Sequence, residues 1–376
     1  MFHHHNFFTT NDFELNPNSI KERTTSYIIT NARKGNGLVV YIPGFGGDLG
    51  DYTQTFCKKV SESHPEYSAM SIEYFCIHSR PNVGAEVTFE VSDKINVNPQ
   101  YSNLSTDDFY QEIIRLSQSK PLRVSGSLTP PNGEYQNFGI MAAVDIINAI
   151  LDAVERYQID MNNIILVGSS YGGYVANLIT KISSGLIRAV FDNSSWANPN
   201  LAYVTGRELN RPEFSQRINS NLALSLFVKS PWTLKSNMPN SFEAGKYAIR
   251  CFNPVDLEVM RNSGGQKTIY YLAHAYNDTI APMNEKLDMV QNMLAIGMHV
   301  NMVIYDESDI DGRFIKSMSH GMGLSMLEFF DRGLKYIESQ DINFIATLNE
   351  KLDYQYDNEK YTFEHIDNKI QCSYQA

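Results

Sequence analysis

Leu166-Val167-Gly168-Ser169-Ser170-Tyr171-Gly172-Gly173 is the stretch on which the fold turns. It reads as the end of a strand, a G-x-S-x-G turn and the start of a helix. Upstream, Asn163-Ile164-Ile165-Leu166-Val167 is a short, β-branched apolar run, the pattern of a parallel strand buried on both faces. Downstream, Val175, Leu178, Ile179 and Ile182 recur at helical spacing. At such a junction a serine hydroxyl can be thrown out above the sheet, because small neighbours let the backbone close without a Cβ clash. Ser170 is therefore a candidate nucleophile. A bare G-x-S-x-G also arises by chance, so the reading depends on partners elsewhere in the chain.

A serine nucleophile needs a base to take its proton and a third group to orient that base. The strand Ile269 to His274 runs into Ala275-Tyr276-Asn277-Asp278-Thr279-Ile280-Ala281-Pro282, which puts Asp278 in the loop that follows. The next strand, Val300 to Tyr305, leads into a loop ending Ser319-His320-Gly321. The chain order Ser170, Asp278, His320 puts each group at the carboxyl end of a successive region of sheet, the edge where open α/β sheets do their chemistry. Asp192, after the strand Leu186 to Phe191, is the rival for the acid, and Asp278 could merely close a turn with Asn277. Asp306, Asp309 and Asp311 belong to the loop of His320 itself. His274 ends a buried strand and reads as a core histidine. No spacing of His, Cys, Asp or Glu suggests a metal site.

The tetrahedral oxyanion of acyl transfer needs two backbone N–H donors. One is expected from Tyr171, the residue after the nucleophile. The other is expected from the glycine-rich loop Pro43-Gly44-Phe45-Gly46-Gly47, at Phe45 first and Gly46 second. A plain tight turn is the alternative. A nucleotide phosphate loop is disfavoured, since no Lys-Ser/Thr follows the glycines.

Around this centre the chain alternates strands and helices, implying a mostly parallel, doubly wound α/β sheet. Residues 1–37 read as an N-terminal extension with one strand, Ser26 to Thr30, and His3, His4 and His5 as part of a disordered terminus. Residues 38–340 read as the main domain, with polar, turn-rich insertions at about 81–136 and 197–262, one of which could cap the site. A helix is expected after Ser105 as N-cap, another through Ile140, Val144, Ile147, Leu151 and Val154, and further ones over 283–294 and 321–337. Residues 341–376 read as a tail with a hairpin near Tyr361 to Tyr374.

The chain has 376 residues, is 43% hydrophobic and carries a net charge of −11. That size fits one large domain or two. The acidic balance argues against nucleic acid and anionic membranes as partners. No apolar run reaches membrane-spanning length. Cys57, Cys76, Cys251 and Cys372 have no CxxC spacing and suggest free thiols in a reducing compartment. With no basic stretch followed by an apolar one at the N-terminus, a cytoplasmic protein is expected.

With these residues assembled, the chain resembles the α/β-hydrolase superfamily over most of residues 36–340. Its C-terminal half is similar to the prolyl-oligopeptidase and dienelactone-hydrolase-like branches, where a strand ending in His-Gly leads to the acid and a later His-Gly supplies the base. Here His274-Ala275 replaces the first His-Gly, Asp278 follows, and His320-Gly321 is intact. Pro43-Gly44 stands where many members carry His-Gly, a mild departure because that contact is made by backbone. More loosely, the chain is similar to a bacterial α/β-hydrolase-like family associated with flagellar glycan-modification loci. The resemblance implies a cofactor-free serine hydrolase acting through an acyl-enzyme on an ester, such as an O-acyl group on a sugar, or on an amide. An acyltransferase with the same triad, and a non-catalytic accessory protein, are the alternatives.

Overall fold

The computed structural model describes residues 1–17, 19 and 23–375. Its main sheet is built from β1 (Phe2–Thr9), β2 (Arg23–Thr30), β3 (Gly37–Ile42), β4 (Tyr67–Ile72), β5 (Ile164–Ser169), β6 (Ala189–Asn193), β7 (Ile269–Ala275) and β8 (His299–Tyr305). These lie in the order β1-β2-β4-β3-β5-β6-β7-β8. β2 pairs antiparallel with both β1 and β4, and every other pairing is parallel. This is the α/β-hydrolase architecture, with the expected doubly wound, mostly parallel sheet.

The helices that cover it are α1 (Asp51–Ser63), α2 (Ile140–Tyr157), α3 (Tyr171–Ile182), α4 (Met283–Ala295) and α5 (Met326–Glu338). Strand residues alternate faces. Val39, Tyr41, Ile165, Val167, Ala189 and Phe191 share one core cluster with Phe56 and Val60 of α1 and Phe329, Phe330 and Leu334 of α5. The intervening Val40, Leu166 and Val190 are also buried, on the opposite face. Burial on both faces is why these strands read as continuous apolar runs.

Most elements fall where the periodicity predicts, with differences at their ends. α5 starts at Met326 instead of Gly321, because Gly321, Met322 and Gly323 all hold positive φ, which no α-helix accommodates. Ser325 then caps it by accepting from the Glu328 N–H.

One expectation is corrected. The histidine-bearing terminus is ordered: His3, His4 and His5 lie within β1, in register with Ile29, Ile28 and Tyr27. Strand pairing and side-chain contacts hold it, with His5 Nε2 2.5 Å from the Tyr157 hydroxyl and Phe7 buried on Tyr27. The chain divides into two compact units, one of residues 1–75, 139–199 and 244–376, the other of 76–138 and 200–243. In the second unit Leu122–Thr129 and Leu222–Val228 pair in parallel around a core of Phe89, Phe109, Ile113, Leu128, Leu224 and Leu226. Residues 244–262 fold instead with the first unit. The tail forms a three-stranded antiparallel sheet, Lys351–Tyr356, Glu359–Ile366 and Lys369–Gln375, in which Tyr361 pairs with Tyr374.

Candidate active site

The elbow follows from its glycines. β5 ends at Ser169 and α3 starts at Tyr171, so one residue makes the turn. Ser170 sits at φ 56°, ψ −123°, a conformation that costs a non-glycine residue about 1–3 kcal/mol. Packing on both sides enforces it: a Cβ on Gly172 would overlap the carbonyl of Ile42, and one on Gly168 would overlap the backbone of Gly172. The Ser170 N–H donates to the Asn193 carbonyl at 2.7 Å, tying the turn to the end of β6.

Ser170 Oγ lies 2.7 Å from His320 Nε2, and His320 Nδ1 lies 2.8 Å from Asp278 Oδ2. A carboxylate only accepts, so Nδ1 carries the proton and Nε2 of the neutral ring receives the serine O–H. The other carboxylate oxygen of Asp278 accepts the N–H groups of Ile280 at 2.9 Å and Ala281 at 3.0 Å. Burial alone would raise the Asp278 carboxyl. The hydrogen bonds from His320, Ala281 and Ile280 outweigh burial and hold it below the ordinary carboxylate range. Its side chain is fully buried, while His320 keeps 17% exposure and so remains within reach of a ligand.

Asp192, the rival acid, is not brought to His320. It is buried at the end of β6 and accepts from Lys286 Nζ at 2.7 Å, the Ser195 hydroxyl at 2.7 Å and Asn177 Nδ2 at 2.9 Å. Asp306 and Asp311 fold the exposed loop before His320 by accepting nearby backbone N–H groups. His274 is fully buried, 2.9 Å from the Ala281 carbonyl through Nε2.

The glycine-rich loop reaches the serine. A Cβ on Gly44 would stand 2.8 Å from the Ser169 carbonyl and 3.2 Å from Ser170 Cβ, so only glycine allows the approach. The loop closes through Gly47 N–H to the Gly44 carbonyl at 3.0 Å, with Gly46 at φ 81°. The Phe45 ring stacks on that of Tyr171, centroids 4.1 Å apart. Tyr171 is the first residue of α3, whose opening N–H groups point out of the helix end. Phe45, Gly46, Ser170 and His320 line one open cleft of about 560 Å³, which Tyr41, Tyr52, Leu324 and Met326 also border.

Two residues here carried no warning in sequence. Asn193 Nδ2 donates to the Gly321 carbonyl at 3.1 Å, bracing the His320 loop from β6. Trp196 Nε1 donates to the Ile280 carbonyl at 2.7 Å, and its ring lies 5.7 Å from that of His320. Their one legible signal is their place at and just after a strand's carboxyl end. Among the described residues no group of three or more His, Cys, Asp or Glu could hold a metal ion, and no helix is long and apolar enough to cross a membrane.

Solved structures similar to this chain include an acylaminoacyl peptidase from Pyrococcus horikoshii, at 15% identity and TM-score 0.47, over 94% of this chain and 43% of that one. A protein assigned as a dienelactone hydrolase from Klebsiella pneumoniae matches at 10% identity and TM-score 0.43, over 90% of this chain and 100% of its own. Dipeptidyl peptidase 4 from Porphyromonas gingivalis matches at 12% identity and TM-score 0.45, over 90% of this chain and 35% of its own. This chain thus spans less than half the length of the two peptidases. No curated protein matches it. Over residues 3–373 it matches one family model, and it belongs to that family, described as "Protein of unknown function (DUF2920)".

Proposed function

We propose that the protein is a serine hydrolase working through an acyl-enzyme. The observation that carries this reading is the unbroken hydrogen-bond chain from Ser170 Oγ through His320 to Asp278. His320 Nε2 takes the hydroxyl proton as Oγ bonds to the substrate carbonyl carbon. Asp278 holds the ring in the tautomer that can accept, and stabilises the imidazolium that forms. The N–H groups of Tyr171 and of Phe45, with Gly46 as second choice, donate to the developing oxyanion. Collapse breaks the bond to the leaving alkoxide, which receives the proton from His320. Water then attacks the acyl-enzyme with His320 again as base, releasing the acid and restoring Ser170.

An ester is the first-choice substrate, an O-acyl group on a sugar among the candidates, with an amide second. Ser170→Ala is expected to abolish hydrolysis of p-nitrophenyl acetate and covalent labelling by a fluorophosphonate. Labelling of that variant at the wild-type rate would sink the proposal.

A further inference from the structure

The acid of the triad sits in a loop, and two side chains, one on β7 and one in the segment after β6, grip the peptides around it. The Ala281 N–H that donates to Asp278 belongs to the same peptide group as the Ile280 carbonyl. That carbonyl accepts from Trp196 Nε1 at 2.7 Å. A hydrogen bond at one end of a peptide polarises the other, so the indole strengthens the donor facing the carboxylate. The next carbonyl, Ala281, lies 2.9 Å from His274 Nε2. A carbonyl cannot donate, so Nε2 carries the proton there. His274 Nδ1 is buried with no partner, which suits a lone pair better than a second N–H. The ring therefore stays neutral, and burial favours that form. An imidazolium 3.9 Å from Asp278 Oδ2 would instead compete with His320 for the carboxylate.

We infer, on the footing of the triad proposed above, that Trp196 and His274 are positioning residues that hold the Asp278 loop in register with His320. Neither reaches the reacting atoms. Trp196 grips the loop from the segment after β6, and His274 grips it from β7. The Trp196 ring also flanks His320, so one side chain steadies both the acid loop and the base.

The test reads p-nitrophenyl acetate turnover and fluorophosphonate labelling, with thermal melts as a folding control. Asp278→Asn is the reference. If it retains the wild-type rate, the triad reading itself fails, whatever the other variants do. If it is impaired, replacing Trp196 with 3-benzothienylalanine, which keeps the ring shape and removes the N–H, is expected to lower kcat roughly 10- to 100-fold. KM should stay within about twofold, since a misaligned acid weakens the transition state and not binding. His274→Leu should fall similarly, and His274→Gln, which restores a side-chain N–H, should regain most of the loss. Wild-type kcat in the benzothienyl variant, or an effect confined to KM, overturns the assignment of Trp196. Equal loss in His274→Leu and His274→Gln overturns that of His274. If His274→Leu does not fold, the comparison of His274→Gln with wild type at the kcat level decides: a loss as deep as that of Asp278→Asn overturns it, and near-wild-type kcat supports it.

Discussion

Asp192 and Asp278 are both buried carboxylates at the same sheet edge, and their partners separate them. Asp278 is met by an imidazole and two backbone N–H groups, Asp192 by an ammonium, a hydroxyl and an amide. The first set leaves one face to orient a base, and the second uses the charge to hold α4 to the end of β6. Asp278→Asn is thus expected to lower kcat by about 10⁴-fold, through loss of the correct imidazole tautomer. Stability should follow pH with a definite sign. The folded carboxyl lies below its ordinary value, so its contribution is complete above about pH 4 and is lost as pH falls through the folded value. Urea midpoints measured against pH should show that acid limb in the wild type and its reduction in Asp278→Asn. Lys286→Met, by contrast, strands a buried charge at Asp192. It should destabilise by about 3–5 kcal/mol in urea unfolding, with Ser170 still labelled by a fluorophosphonate where the protein is folded.

At the level of elements, the elbow is a packing device. α3 starts one residue after β5 because Gly172 lets the helix end lie against the Ile42 carbonyl at the end of β3. Gly172→Ala inserts a methyl where backbone already stands. A cost of at least about 3 kcal/mol is expected, read as a lower urea midpoint together with loss of fluorophosphonate labelling, since the elbow must shift to admit it. The loop into α5 is set in a similar way: three consecutive positive-φ residues, Gly321 to Gly323, keep the chain out of helix until Ser325, and so leave His320 in a loop facing Ser170.

For the whole molecule, the ends of the chain are tied into the main unit by buried charge. Arg250 and Glu14 are both fully buried, and the guanidinium spans the carboxylate at 2.5 and 3.0 Å. The Tyr361 hydroxyl donates to the same carboxylate at 2.5 Å, so the N-terminal segment, residue 250 and the C-terminal sheet meet at one point. Removing one member of such a cluster leaves an uncompensated buried group. Glu14→Gln is expected to destabilise by about 3 kcal/mol in urea unfolding and to hasten proteolytic nicking of residues 351–375. The far ends of the chain are thus structural parts of this unit and not appendages to it.

What the sequence determined by itself was local or followed chain order. Ile164 to Val167 read as a buried strand, the glycines beside Ser170 as a close turn, and the parallel alternation offered Asp278 and His320 after β7 and β8 as candidates, with Asp192 after β6 as the rival acid. What remained illegible was non-local. Leu122–Thr129 and Leu222–Val228 lie about a hundred residues apart, each inside a block dominated by polar turn residues, so their pairing into one unit is decided by contacts that neither segment encodes alone. β1 was missed because its histidines find their partners on β2 and α2. The choice between Asp278 and Asp192 likewise needed tertiary structure. Both follow strands at the same edge, and only the arrival of Lys286 from α4 and of the His320 loop from beyond β8 settles which carboxylate meets an imidazole.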